Sequence, residues 1–218
     1  MKANWINKQN NTNCILFFNG WGMDEHAIAH LALGDFDICM LSDYNPITSL
    51  EEELSKYNEV YLLAWSLGVW AASKVLSSLH IKFAKSIAIN GTQNPIHDTE
   101  GIPTAIFNNT LHSWDDRNRK KFSMRMFGGR DLMETHQENL SNRNTQNQKD
   151  ELAAIKDAVE SSKIDALTFD VAVIGKNDLI FIADNQFNYW NNKTRVIEMD
   201  IPHFPFDSFT SWNEIIHL

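Results

Sequence analysis

The stretch Val60-Tyr61-Leu62-Leu63-Ala64-Trp65-Ser66-Leu67-Gly68-Val69-Trp70 places the tightest constraint on how this chain can fold. Val60 to Ala64 is a short apolar run, as in a strand buried on both faces of a parallel sheet. From Leu67 the period changes. Leu67, Ala71, Ala72, Val75, Leu76 and Leu79 recur at helical spacing, which predicts a helix packed on that sheet. Ser66 then sits on a tight strand-to-helix turn, with Ala64 and Gly68 flanking it where the chain folds back. Small residues are needed there because the serine backbone is strained and its neighbours crowd the helix start. Such a turn pushes the hydroxyl out at the carboxyl edge of the sheet. It also sets the Leu67 N–H at a helix N-terminus, where it can stabilise an oxyanion.

Around this turn the chain alternates. Further strands are expected at Asn13–Phe18, Phe36–Leu41, Ala84–Gly91, Thr168–Gly175 and Thr194–Met199, and a short one around Trp5. Helices are expected near Glu25–Leu31, Leu50–Tyr57 (an acidic surface helix), Ala183–Asn191 and Ser208–His217. The pattern predicts an α/β fold, a mostly parallel sheet covered by helices on both faces. Between 92 and 162 the alternation stops. That segment is polar, rich in Asn and Gln from Glu138 to Gln148, and amphipathic at Ser113–Phe127 and Lys149–Ser161. It reads as a helical cap inserted into a core made of residues 1–91 and 163–218.

The net charge of −9 argues against a nucleic-acid binder, since nothing neutralises phosphates on a broad front. No apolar run reaches membrane-spanning length, and the start Met1-Lys2-Ala3-Asn4-Trp5 lacks the apolar region of a signal peptide. Cys14 and Cys39 both lie in apolar strand-like runs and read as buried free thiols in a reducing compartment. These features point to a cytoplasmic soluble protein. His26 and His30 have i, i+4 spacing beside Asp24 and Glu25, but no third ligand follows at metal-binding spacing, so they read as a solvated helix face and no metal is expected.

A serine nucleophile needs a base, and the base needs an orienting carboxylate. The sequence Ala-Trp-Ser-Leu-Gly matches the nucleophile elbow of the α/β-hydrolases, usually Gly-x-Ser-x-Gly, with Ala64 in place of the first glycine. In that fold the acid and the histidine follow the serine, in that order, at the ends of later strands. Ile174-Gly175-Lys176-Asn177-Asp178 puts Asp178 just past one strand. Pro202-His203-Phe204-Pro205 puts His203 in a loop stiffened by two prolines after the last strand. Asp184, Asp200 and Asp207 are rival acids and His217 a rival base, each fitting the strand-end placement less well. The reading is Ser66, Asp178 and His203. A second oxyanion donor is expected in the loop Asn19-Gly20-Trp21-Gly22, where the Trp21 N–H would pair with that of Leu67; Trp21 is equally suited to packing in the core.

The segments Phe18-Asn19-Gly20-Trp21-Gly22-Met23, Trp65-Ser66-Leu67-Gly68, Asn90-Gly91-Thr92, Gly175-Lys176-Asn177-Asp178, Asn185-Gln186 and Pro202-His203-Phe204-Pro205-Phe206 together resemble the BioG-type carboxylesterases of biotin synthesis. The resemblance covers most of the chain. It implies hydrolysis of the methyl ester of pimeloyl-acyl-carrier protein, with the same triad and oxyanion positions, no cofactor, and an acyl carrier protein as partner. Ala64 departs from the usual glycine, and Asn19 stands where the wider hydrolase family has histidine.

If Ser113–Phe127 is a helix, Arg117, Lys121 and Arg125 form one ridge and Trp114, Phe122 and Met126 the next. A basic ridge beside an apolar one suits a phosphate-bearing arm and an acidic carrier above an acyl tunnel; a solvated face with ordinary packing fits the same spacing. Two other functions remain open at this point: an esterase or thioesterase for small soluble acyl substrates, and a hydrolase-fold binding protein whose elbow has lost catalysis through Ala64.

Overall fold

A computed structural model describes residues 1–161 and 166–218, and in it the apolar runs pair into one seven-stranded sheet. In chain order the strands are β1 (Lys2–Asn7), β2 (Asn13–Phe18), β3 (Phe36–Ser42), β4 (Glu59–Trp65), β5 (Lys85–Ile89), β6 (Val171–Gly175) and β7 (Arg195–Met199). Their spatial order is β1-β3-β2-β4-β5-β6-β7. β1 is antiparallel to β3, and every other pairing is parallel. The Ser66 strand is therefore central. Phe18, Ala64, Ala88 and Ala172 sit opposite one another across four strands, so the loops that follow open at one carboxyl edge.

Alternate residues of β2 feed two cores, as strand geometry requires. Cys14, Leu16 and Phe18 face one, which α1 (Leu67–Leu76) covers with Leu67, Ala71, Ala72 and Val75. Ile15 and Phe17 face the other, where Phe17 packs edge-on against Phe206 and Trp212 at 5.7 and 5.3 Å. Each fully buried side chain of this size contributes roughly 1.5–3 kcal/mol of transfer free energy. Ala64 is completely buried between the neighbouring strands, so its methyl group is absorbed by the core. Cys14 and Cys39 are free and buried, and burial pushes both thiols up to about 12.

Between β5 and β6 come α2 (Thr104–His112), α3 (Asp116–Met126), α4 (Arg130–Thr135) and α5 (Thr145–Ser161). The proposed junction at 162/163 lies outside the described residues. α6 (Ala183–Trp190) and α7 (Trp212–Ile216) follow β6 and β7. Among the described residues no helix is long and apolar enough to cross a membrane.

Three expected helices are corrected. Residues 50–57 form no helix. Leu54 and Tyr57 are drawn into the core, and Glu52 accepts from Trp5 Nε1 at 3.1 Å, which holds the segment along an irregular path. A stretch that short has little helical stability of its own to resist such anchors. The predicted helix at Glu25–Leu31 is only a 3-10 turn over Glu25–Ile28, begun by Asp24 accepting from the His26 N–H. Near Trp212, the Ala32 N–H donates to the Thr210 carbonyl and the Trp212 N–H to the Ala32 carbonyl, which ties the segment around extended Ser211 to Ala32 and delays α7 to Trp212.

Candidate active site

β4 delivers Ser66 to the sheet edge with φ 60° and ψ −131°, a left-handed conformation that an L-residue adopts only under constraint. α1 begins at the next residue and runs close under β2. A β-carbon on Gly68 would lie 2.3 Å from the Phe18 carbonyl oxygen, which explains the small residue at that position. The turn leaves the Ser66 hydroxyl free of its own helix and directed across the edge of the sheet.

His203 Nε2 lies 2.9 Å from Ser66 Oγ, and His203 Nδ1 lies 2.8 Å from Asp178 Oδ2. The carboxylate can only accept, so Nδ1 carries the ring proton and Nε2 is left to accept from the serine hydroxyl. All three residues are buried. Asp178 is itself fixed: Oδ1 accepts from the Ile180 and Phe181 N–H groups at 2.7 and 2.9 Å, and Oδ2 from Gln186 Nε2 at 3.1 Å. The His203 carbonyl accepts from Trp65 Nε1 and Asn90 Nδ2, both at 2.9 Å, while Phe181 stacks on the imidazole. Of the rival acids, Asp200 accepts from Asn177 and Asp207 pairs with His136, so neither meets the His203 ring; His217 bonds its own helix.

Trp21 and Leu67 line the same cavity as the serine. Neither backbone N–H donates to an acceptor among the described residues. The Trp21 side chain has a separate role: its Nε1 donates to the Gln148 carbonyl at 2.7 Å, and its ring packs on Trp114 and Phe122 at 4.5 and 5.3 Å. Asn19, fully buried, accepts from the Gly20 N–H and donates to the Asp24 carbonyl, so it shapes this loop from beneath.

A mostly apolar cavity opens from Ser66 and His203 between the sheet edge and the inserted helices, walled by Phe107, Phe122, Met126, Leu152 and Ile180. Arg125 stands at its border, 5.8 Å from the Phe122 ring centroid, and burial lowers its pKa. Phe122 and Arg125 also line an adjoining groove, together with Trp114 and Lys121. Arg117 is exposed and borders neither space. α3 starts at Asp116, capped by Asp115, so Trp114 precedes the helix on which it was expected and reaches Phe122 through ring packing instead. The sequence reading assigned no role to Asn90, Gln186 or Leu152. Asn90 and Gln186 belong to recognisable segments, but their function depends on contacts with residues far along the chain.

His26 and His30 do not form a metal site with any third ligand among the described residues. His26 bonds Asp24 and Asn142, and His30 bonds the Phe206 carbonyl and Asn139.

A serine held at positive φ between a central parallel strand and its helix belongs to the α/β-hydrolase fold. The enol-lactonase of Burkholderia xenovorans LB400 shares that fold with a TM-score of 0.64 and 12% identity, over 99% of this chain and 95% of that one. More narrowly, the chain belongs to the BioG family: the sequence model of that family, described as pimeloyl-ACP methyl esterase, matches residues 1–215. BioG from Haemophilus influenzae superposes with a TM-score of 0.92 at 32% identity, covering 99% of this chain and 100% of that one. A malonyl-[acyl-carrier protein] O-methyltransferase of Bacteroides fragilis is 37% identical over 184 residues, 84% of this chain but only 38% of the relative's length.

Proposed function

We propose that this chain is a serine carboxylesterase that hydrolyses the methyl ester of pimeloyl-acyl-carrier protein, using Ser66, His203 and Asp178, with the Trp21 and Leu67 N–H groups as the oxyanion hole. The observation that carries this reading is the hydrogen-bonded series Ser66–His203–Asp178, at 2.9 and 2.8 Å, facing an apolar cavity in a chain of the BioG family.

The geometry supports a two-step displacement. Ser66 Oγ attacks the ester carbonyl while His203 Nε2 takes its proton. The carbonyl oxygen becomes an oxyanion, met by two backbone N–H groups that have no competing acceptor. Collapse expels methanol, which leaves with the proton from His203, and an acyl-serine remains. Water, deprotonated by the same imidazole, then releases the carboxylate and restores the hydroxyl. Asp178 stays ionised and stabilises the imidazolium in both steps. No cofactor enters this scheme.

The wall of the cavity suits the methylene chain of the acyl group. The inserted helices α2 to α5 act as the cap, with Phe122 and Met126 on the acyl side and Trp114, Lys121 and Arg125 beside the groove for the phosphate-bearing arm. Arg117 lies further out, where it can meet only the carrier's acidic surface. The Bacteroides fragilis relative is named for placing a methyl group on a carrier-bound acyl substrate, the group that this reaction removes. A cytoplasmic site of action fits the two buried thiols.

The deciding experiment is mass spectrometry of pimeloyl-acyl-carrier protein methyl ester before and after incubation with the protein. Conversion to the free acid is expected, and Ser66→Ala should abolish it. An unchanged carrier, alongside rapid turnover of small free esters, would replace this reading with that of a small-ester hydrolase. An inert protein whose Ser66 also fails to label with a fluorophosphonate would leave a binding protein.

A further inference from the structure

α5 carries a charged group into the fold that the reaction scheme does not use. Glu151 is completely buried, and its two oxygens are both occupied. Oε2 accepts from the Gly22 N–H at 3.0 Å and pairs with Arg143 Nη1 at 2.8 Å, while Oε1 accepts from the Tyr44 N–H at 2.9 Å. Arg143 lies in turn 3.0 Å from Asp43, which pairs with Lys2 at 2.7 Å. Burial pushes the Glu151 pKa up, and Arg143 with the Tyr44 and Gly22 N–H groups opposes that shift.

A buried ion pair of this kind is a weak source of stability, because desolvation offsets most of its attraction. An apolar side chain of similar volume would serve the core as well, but it could not hold a backbone N–H. What Glu151 holds is specific. Gly22 directly follows Trp21, the residue whose N–H faces the acyl oxygen in the scheme above. Tyr44 closes the circuit, since its hydroxyl donates to the Asn19 carbonyl at 2.7 Å, on the other side of Trp21. Gln148, one helical turn before Glu151, adds two more ties: its Nε2 donates to the Gly22 carbonyl at 2.8 Å and its own carbonyl accepts from Trp21 Nε1.

We infer that Glu151, held by Arg143, is a positioning residue that fixes the oxyanion loop from the inserted helices, so that the Trp21 N–H is in place before charge develops. A donor on a loop stabilises a transition state only if its position is set in advance, and small misplacements are costly to rate. A carboxylate suits this task because it presents acceptors to all three donors and strengthens each bond by its charge. Glutamine would not. Whichever way its amide turned, the NH2 would face either the Gly22 or the Tyr44 N–H, donor against donor.

This inference rests on the serine-esterase reading, and the test separates the two. Wild type, Glu151→Gln and Glu151→Asp are compared on p-nitrophenyl butyrate, with inhibition by an alkyl trifluoromethyl ketone, whose serine adduct carries an oxyanion. Asp37→Asn, a buried change outside the site, controls for general loss of stability. For Glu151→Gln, kcat should fall about 10- to 100-fold with KM within about twofold, and ketone affinity should fall by the same factor as kcat/KM. Glu151→Asp, which keeps the charge opposite Arg143, should fall between, and it carries the test if the glutamine variant does not fold. Either variant keeping wild-type kcat and ketone affinity would overturn the inference. So would a loss of kcat with ketone affinity intact, or a rise in KM that accounts for the whole effect. If wild type neither turns over the ester nor binds the ketone, the esterase reading itself falls and this inference falls with it.

Discussion

Gly91, just past the end of β5, lies so close to Ser66 that a β-carbon on it would sit 2.2 Å from the Ser66 carbonyl oxygen and 2.9 Å from the carbonyl carbon. The neighbour is backbone, so no side chain can move aside. The Ser66 N–H is tied to the Ile89 carbonyl at 2.9 Å, which pins the turn against the same strand end. The strained serine is therefore held by its neighbouring strand as well as by its own sequence.

Gly91→Ala should displace the Ser66 turn and reduce kcat/KM by roughly 100-fold or more, the scale of loss that follows a misplacement of about 1 Å at the reacting centre. Fluorophosphonate labelling of Ser66 should slow in parallel. Turnover close to wild type would mean that the end of β5 can shift without carrying the serine with it.

Replacing the hydrogen-bonded series should be severe. Ser66→Ala and His203→Ala should each lower kcat by roughly 10³-fold or more while leaving the fold intact, because neither side chain packs the core between strands. Asp178→Asn should lower it by about 10⁴-fold, since an amide facing Nδ1 favours the wrong tautomer. It also weakens the bonds from the Ile180 and Phe181 N–H groups, so circular dichroism and melting should accompany the kinetics. Near-normal turnover of the asparagine variant would move the orienting role to another acid.

How far this site could be read beforehand depends on where each residue's partners lie. Ser66 and its elbow are encoded within eleven consecutive residues, and strand ends located Asp178 and His203 because a parallel sheet gathers those ends on one edge. The inner strands β2 to β6 were legible because they are largely buried on both faces and read as mostly apolar runs. Glu151 and Gln148 were not, since they lie in a stretch whose polar composition resembles an exposed surface, and only the fold turns them inward. The helix expected at 50–57 failed for the converse reason. Its spacing allowed a helix, but Leu54, Tyr57 and Glu52 are held by distant parts of the chain.

Acid sensitivity should trace in part to Asp37. Burial pushes its pKa up, but the Gln9 and Asn11 N–H groups and the Tyr57 hydroxyl outweigh that and hold it below the ordinary aspartate value of 3.8. A carboxyl lowered in the folded state adds stability above its unfolded pKa, and that stability is lost as pH falls through the folded value. The melting temperature should therefore drop as pH falls below about 4. Asp37→Asn should melt lower at pH 7 and show a shallower acid limb, with kcat little changed. Asp43 is also lowered, by Lys2 and Arg143 against the effect of burial, so the limb should shrink rather than vanish. An acid limb identical to wild type would place the sensitivity elsewhere.

The carrier should be recognised through Lys121 and Arg125 more than through Arg117. Arg125 borders both the inner cavity and the outer groove, Lys121 borders the groove alone, and Arg117 borders neither. A phosphate-bearing arm entering along the groove passes the first two before its carrier can meet the third. Reversing all three charges should raise KM for pimeloyl-acyl-carrier protein methyl ester, with Arg125→Glu the largest single contributor. Exposed charges contribute only about 0.2–1 kcal/mol each, so Lys121→Glu and Arg117→Glu alone should change KM by less than about fivefold. Added salt should shrink the difference between variant and wild type, because such pairs are screened beyond about 8–10 Å at ordinary ionic strength. Turnover of p-nitrophenyl butyrate, which needs only the inner cavity, should hold for the Lys121 and Arg117 variants. An equal loss on both substrates after the triple reversal would show damage to α3 rather than loss of a docking surface, and no loss on either would send the carrier to another face of the protein.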